Sequence, residues 1–277
     1  MSIEARFYRI VVDALARDRL VLPTLPEVAL CIHELLQRDD VTSNQLAAEV
    51  QRDPAIAVRL IRVANSAAMR SGRSVESIQQ AVTRLGLQYT RLLVNGLALE
   101  QMFSAGNDML KDRLARCWRD SVDVAALARA LAAQCTLLPP EMAMLAGLIH
   151  RVGELPILKM AEQHQSAIDT PQALDEVVER LAPRIGRMVL QAWSFPADLV
   201  DVPVLWRDCA RDHPGAADHA DVVAVAVARL RLERQPEPIP PPMPAHTKLD
   251  LEPCFDLGGA GPLADVYQSS LRMLQAA

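Results

Sequence analysis

The stretch "AGLIHRVGEL", from Ala146 to Leu155, ends an apolar helical run on a histidine. A neutral imidazole followed by a carboxylate is a natural pair for a divalent metal ion. Such an ion polarises a phosphoryl oxygen and makes hydroxide from water near neutral pH. Here the residue after His150 is Arg151, a permanent cation. The chemistry to be decided is whether a metal could be held beside it.

The other candidate sites are weaker. "DHAD", Asp218 to Asp221, offers histidine and aspartate, but His219 and Asp221 do not share a helix face, and Asp218 reads as a helix cap. "LGGAG" at 257–261 has no preceding strand and no phosphate-binding lysine, so it reads as a turn. No motif sets a nucleophile beside a base. The five cysteines, Cys31, Cys117, Cys135, Cys209 and Cys254, are odd in number and widely spaced, with no C-x-x-C pair. They read as reduced thiols of a cytoplasmic protein.

The elements that carry these residues are helical. The 277 residues are 51% apolar, mostly Ala, Leu and Val, and only 4% aromatic, which favours helix over sheet. The formal charge of −5 gives no overall basic character for nucleic acid or an acidic membrane. The N-terminus mixes charges into its apolar positions, unlike a secretion signal, and no stretch approaches the roughly 18 apolar residues of a bilayer span, so no membrane insertion is expected.

Helix signals punctuate the chain. Pro23 and Pro26 bracket an extended segment before a stripe of Val28, Ile32, Leu35 and Leu36. Thr42 with Gln45 fits a capping box. Asp53-Pro54 is an N-cap followed by proline at the first helical position. That helix ends at Asn65-Ser66, where Asn65 is expected to satisfy backbone groups at the helix end. Val75 to Leu85 is amphipathic and closed by Gly86. Longer helical patterns follow, with breaks expected at Pro183 and Pro196. "PEPIPPPMPA" at 236–245 is too proline-rich for helix and reads as an exposed linker, or less readily as a docking site for a proline-reading partner. A last helix from Pro262 should fold back on the body.

The segments "LPTLPEVAL", "VTSNQLAAEVQRDPAIAVRLIRVANSA" and "SVESIQQAVTRLGLQYTRLLVNGLAL" closely resemble the HDOD family, an HD-related output domain of bacterial signal transduction. "CWRDSVDVAALARALA" and "AMLAGLIHRVGELPIL" match its second half less closely. The resemblance covers Leu22 to Arg234 and implies an all-α, multi-helical fold: an N-terminal half (22–105) packed on a degenerate HD-like half (106–234). A helical extension (1–21) precedes it, and a linker (235–261) and C-terminal helix (262–277) follow. Asp53, Pro54, Asn65, Ser66 and Gly86 carry the family signature as structural positions.

The resemblance also locates a degenerate centre. HD phosphohydrolases use a histidine, a His-Asp pair and a later aspartate. Aligned to that pattern, these positions hold Asp120, His150-Arg151 and Val227, while Ala182 stands where related active proteins often carry a histidine. Asp120 and His150 could still ligate. Arg151, however, would repel a cation 4 Å away by roughly 4 kcal/mol per unit charge at an effective dielectric near 20, twice that for a divalent ion. The expectation is therefore no catalytic residue, no metal and no cofactor, with His150 bonding a nearby carboxylate such as Asp120. The protein is expected to be a regulatory module binding a signalling protein partner, with a small nucleotide as a further possible ligand.

Two alternatives stay open. One is a divergent metal-dependent phosphohydrolase. The other is a nucleic-acid-binding regulator. Seven arginines face two acids between Arg52 and Arg91, and "SNQLAAEVQRDPAIAVRLIRVAN" has the look of a helix-turn-helix. Nucleic acid is the less favoured partner, because the chain has only three lysines and its arginine excess suits a G+C-rich genome. Arg59, Arg62 and Arg70 are the contact candidates on that surface.

Overall fold

Alternating caps and prolines divide the chain into short helices that must bury their apolar stripes on one another. A computed structural model describes residues 4–17, 19–23, 26, 29, 31–32, 35, 41–66, 74–104, 108–168, 170–234 and 242–276. Among these there is no strand, and the fold is all-α.

After α1 (Glu4–Ala16) in the N-terminal extension, the N-terminal half holds α2 (Ser43–Val50), α3 (Pro54–Ala64), α4 (Ile78–Leu85) and α5 (Leu87–Ser104). Thr42 and Gln45 cap α2 reciprocally. The Asp53 carboxylate accepts from the Ala55 and Ile56 amides, with Pro54 at the first position of α3. Asn65 does more than close α3. Its side chain donates to the Val75 carbonyl and accepts from the Val75 amide, both at 2.8 Å, and so ties the helix end to the strap before α4. The amphipathic run from Val75 becomes helical only at Ile78, because Ser77 caps it. Gly86 ends α4 at φ +80°, a conformation that favours glycine. Val28 and Leu36 of the expected stripe lie outside the described residues, while Ile32 is fully buried and Leu35 half-buried.

The second half holds α6 (Asp108–Cys135), α7 (Pro140–Ile149), α8 (Glu154–Gln163), α9 (Pro171–Ala192), α10 (Ala197–Val200), α11 (Val202–Leu205), α12 (His219–Arg234) and α13 (Pro244–Leu249). The helix α6 is its spine, touching α7, α8 and α12. The expected break at Pro183 does not occur: α9 runs through it. Pro183 has no N–H for the Glu179 carbonyl, but a long buried face of Val177, Val178, Leu181, Ile185 and Val189 outweighs that loss. The segment read as an exposed linker is also partly structured. Proline at the first position starts α13, which packs on α12 and buries Met243, Ala245 and Leu249.

Joining the halves are α5, which packs on α6 and α7, and α14 (Pro262–Ala276), which lies along α6 and reaches α3. The N-terminal α1 crosses to the second half, against α8 and α9. The Trp193 indole donates to the Pro23 carbonyl at 2.8 Å.

Two glycines set how closely these helices meet. A Cβ at Gly147 on α7 would lie 2.4 Å from the Cα of Ala125 on α6, and one at Gly153 would lie 2.0 Å from the Ala182 carbonyl oxygen of α9. Gly147→Ala must push α7 off α6, and we expect it to lower stability by about 1–3 kcal/mol. Urea denaturation followed by circular dichroism checks this; an unchanged midpoint would contradict the close packing.

Candidate functional site

Four elements carry the sequence-predicted centre. Asp120 stands mid-way along α6, His150 and Arg151 sit in the turn after α7, Ala182 is on α9 and Val227 is on α12. The close approaches at Gly147 and Gly153 press that turn against α6 and α9.

Arg151 turns inward. Its Nε donates to Glu154 Oε1 at 2.6 Å, one terminal nitrogen donates to Glu154 Oε2 at 3.1 Å, and the other donates to Asp120 Oδ2 at 2.9 Å. Glu154 is 1% exposed and begins α8, where the helix dipole also favours a carboxylate. Burial alone would weaken the Arg151 charge, but Glu154 and Asp120 overcome it and raise its pKa further above an already high value. The other Asp120 oxygen accepts from Arg234 at 2.6 Å, and Arg234 also donates to Asp123 at 2.7 Å. Both carboxylates of the centre are thus held by guanidinium groups.

His150 does not bond a carboxylate, contrary to expectation. Its Nδ1 lies 2.5 Å from the Gly147 carbonyl, one turn back. Its ring meets Trp206 edge-on, with centroids 5.1 Å apart, and its carbonyl accepts from the Trp206 indole at 3.2 Å. Asp120 is taken by the two arginines, which leaves the ring only the backbone. Burial first, and Arg151 second, lower the His150 pKa to about 3, so the ring is neutral. Cys117 donates to Glu154 Oε2 at 3.7 Å; burial and then Glu154 push its pKa well up, so it is held as a thiol.

The donor set does not fit a metal. Asp120, His150 and Glu154 could in principle supply one oxygen or nitrogen each, yet a guanidinium lies between the two carboxylates. Ala182 is buried and Val227 lines the cleft, and neither offers a donor. Among the described residues, the only set of three metal-type donors within 4.8 Å of one another is His213, Asp218 and Asp221. That set is already neutralised. Arg211 pairs with both aspartates, at 2.8 Å to Asp221, and Lys248 approaches Asp221. Asp218 and Asp221 cap each other's amides at the start of α12, as expected for "DHAD".

Three arginines of the arginine-rich segment have partners within the chain. Arg52 pairs with Glu49, Arg59 with Glu100, and Arg84 donates to the Ala64 carbonyl at 3.1 Å. Arg62 is exposed on α3, one turn from the exposed Val58. Arg70 lies outside the described residues. Asp53, Pro54, Asn65 and Gly86 occupy the caps and turn described above, and the Ser66 hydroxyl is buried.

Glu154, Arg234 and Trp206 of the centre escaped the sequence reading. A signal existed for Glu154, because Arg151 and Glu154 are three residues apart, a spacing at which side chains meet. Nothing in the sequence ties Arg234 to Asp120 across 114 positions.

Comparison with known proteins places the chain. The HDOD domain family model matches residues 22–205, and the chain belongs to that family. A crystal structure of a Shewanella amazonensis protein, described as a candidate metal-dependent phosphohydrolase, is 31% identical, with a TM-score of 0.81 over 99% of this chain and 100% of that one. An HDOD domain protein of unknown function from Geobacter sulfurreducens is 25% identical, with a TM-score of 0.64 over 84% and 80% of the two chains. An uncharacterised Treponema pallidum protein is 23% identical over 189 residues, 65% of this chain; the chain spans 36% of that relative's length.

The buried His150 sets a pH dependence. The unfolded chain takes up a proton near the ordinary value of 6.5, while the folded chain stays neutral down to about 3. Acid therefore favours the unfolded state, and stability is lost as pH falls through that window. At pH 5 the contribution is about 2 kcal/mol relative to pH 7. We expect His150→Phe, which cannot titrate, to lose correspondingly less stability between pH 7 and pH 5. Parallel urea curves for both proteins check this; equal losses would show that His150 is not held neutral.

Proposed function

We propose that this chain is a non-catalytic regulatory module of bacterial signal transduction that acts by binding a protein partner. One observation carries the reading: the Arg151 guanidinium holds Asp120 and Glu154, the carboxylates a hydrolytic metal would need. A cation entering there would have to displace a doubly anchored, half-buried arginine. The partner surface we favour includes the face of α3 that presents Val58 and Arg62 to solvent. All five cysteines are free thiols, which suits a reducing cytoplasm. No helix among the described residues is long and apolar enough to cross a membrane.

The description of the Shewanella relative favours a second reading, metal-dependent phosphoester hydrolysis. Arg151 and Ala182 turn us from it. The pairing of Arg52 with Glu49, Arg59 with Glu100 and Arg84 with the Ala64 carbonyl likewise weighs against the free basic surface a nucleic acid would require.

Protein purified without chelator should carry no stoichiometric transition metal. It should not hydrolyse bis(p-nitrophenyl) phosphate when Mn²⁺ or Mg²⁺ is added. Bound metal together with hydrolysis abolished by His150→Ala would establish the second reading instead.

A further inference from the structure

The cleft over the degenerate centre has a volume of about 350 Å³ and adjoins a smaller one of about 280 Å³. Five residues line both: Glu179, Trp206, Arg207, Val227 and Arg231. The remaining arginines of the larger cleft are already matched. Arg151 and Arg234 hold Asp120, Glu154 and Asp123, and Arg113 holds Asp175.

Arg207 and Arg231 are different. Neither guanidinium makes an ion pair or hydrogen bond among the described residues, and each instead lies over the Trp206 ring, at 4.8 and 5.9 Å from its centroid. The Arg207 Nε is buried without a partner. A buried N–H left unpaired is costly, and guanidinium groups are shaped to bond oxyanions through two parallel N–H groups. The nearby Glu179 is exposed, so solvent screens its repulsion of an anion. The smaller cleft continues past these arginines onto Ala224, Val227 and Ala228, an apolar floor.

We propose that Arg207 and Arg231, held over Trp206, bind the phosphate of a small phosphate monoester whose organic body lies against that apolar floor. A dianion matches two unpaired guanidinium groups, and the two joined clefts give separate room for the charged and apolar ends. The site lies beside the Arg151 centre and rests on the reading that no metal occupies it. Binding there would couple α11 and its following turn, which carry Trp206 and Arg207, to α12, which carries Arg231.

Isothermal titration of the full chain with phenyl phosphate in EDTA tests this, with inorganic phosphate and phenol as the two halves of the probe. Phenyl phosphate should bind saturably at one site below about 10 mM and more tightly than either half. Arg231→Gln, an exposed position that should fold normally, and Arg207→Gln should each weaken it about tenfold or more. Arg116→Gln, exposed elsewhere on α6, should bind as the wild type does. No saturable binding, or unchanged affinity in Arg231→Gln, would overturn the proposal and leave the metal-free reading standing. Binding that appears only when Mn²⁺ replaces EDTA would overturn both.

Discussion

A carboxylate that is 1% exposed requires a cation, and Glu154 has Arg151. The rest of the second half is arranged around that necessity. Arg151 forks onto Glu154 at the head of α8 and reaches Asp120 on α6, while Asp120 passes its other oxygen to Arg234 at the end of α12. Three helices are therefore cross-linked through two guanidinium groups. A divalent ion could tie the same elements together, but it would also leave coordination positions for water and substrate. A guanidinium has no such position. It supplies hydrogen bonds in a plane and no Lewis acidity, so it can hold helices together without the chemistry of a metal.

Close helix packing makes that arrangement possible. Gly147 lets α7 approach α6, and Gly153 lets the turn after α7 meet α9. The turn is thus fixed with Arg151 directed between the acids rather than into solvent. His150, just before it, is committed to backbone and aromatic contacts with Gly147 and Trp206. A histidine held neutral in this way is a packing residue that retains a ligand's chemistry without a ligand's geometry.

Much of the fold could be read from local signals. Thr42–Gln45, Asp53-Pro54 and Gly86 each mark a helix boundary by a mechanism confined to a few residues, and each is found where those residues place it. Pro183 misleads because its penalty is local, while the buried face of α9 that overrides it depends on tertiary packing. The same division holds at the centre. The identity of Arg151 already spoke against a metal, but sequence alone suggested only a repelling charge. The structure instead gives an arginine that takes the cation's role between two acids. Asn65 shows the limit again: its clamp on Val75 spans ten residues and no capping rule anticipates it.

The most direct measure of the Arg151 bridge is a double-mutant cycle in urea. Arg151→Met and Glu154→Gln each strand a buried polar or charged partner, and each should cost about 3–5 kcal/mol. The double variant removes both charges and should cost far less than the sum, leaving a coupling energy of about 2–3 kcal/mol. Additive losses would show that the guanidinium and the carboxylate act independently, and the centre would then have no resident cation of its own.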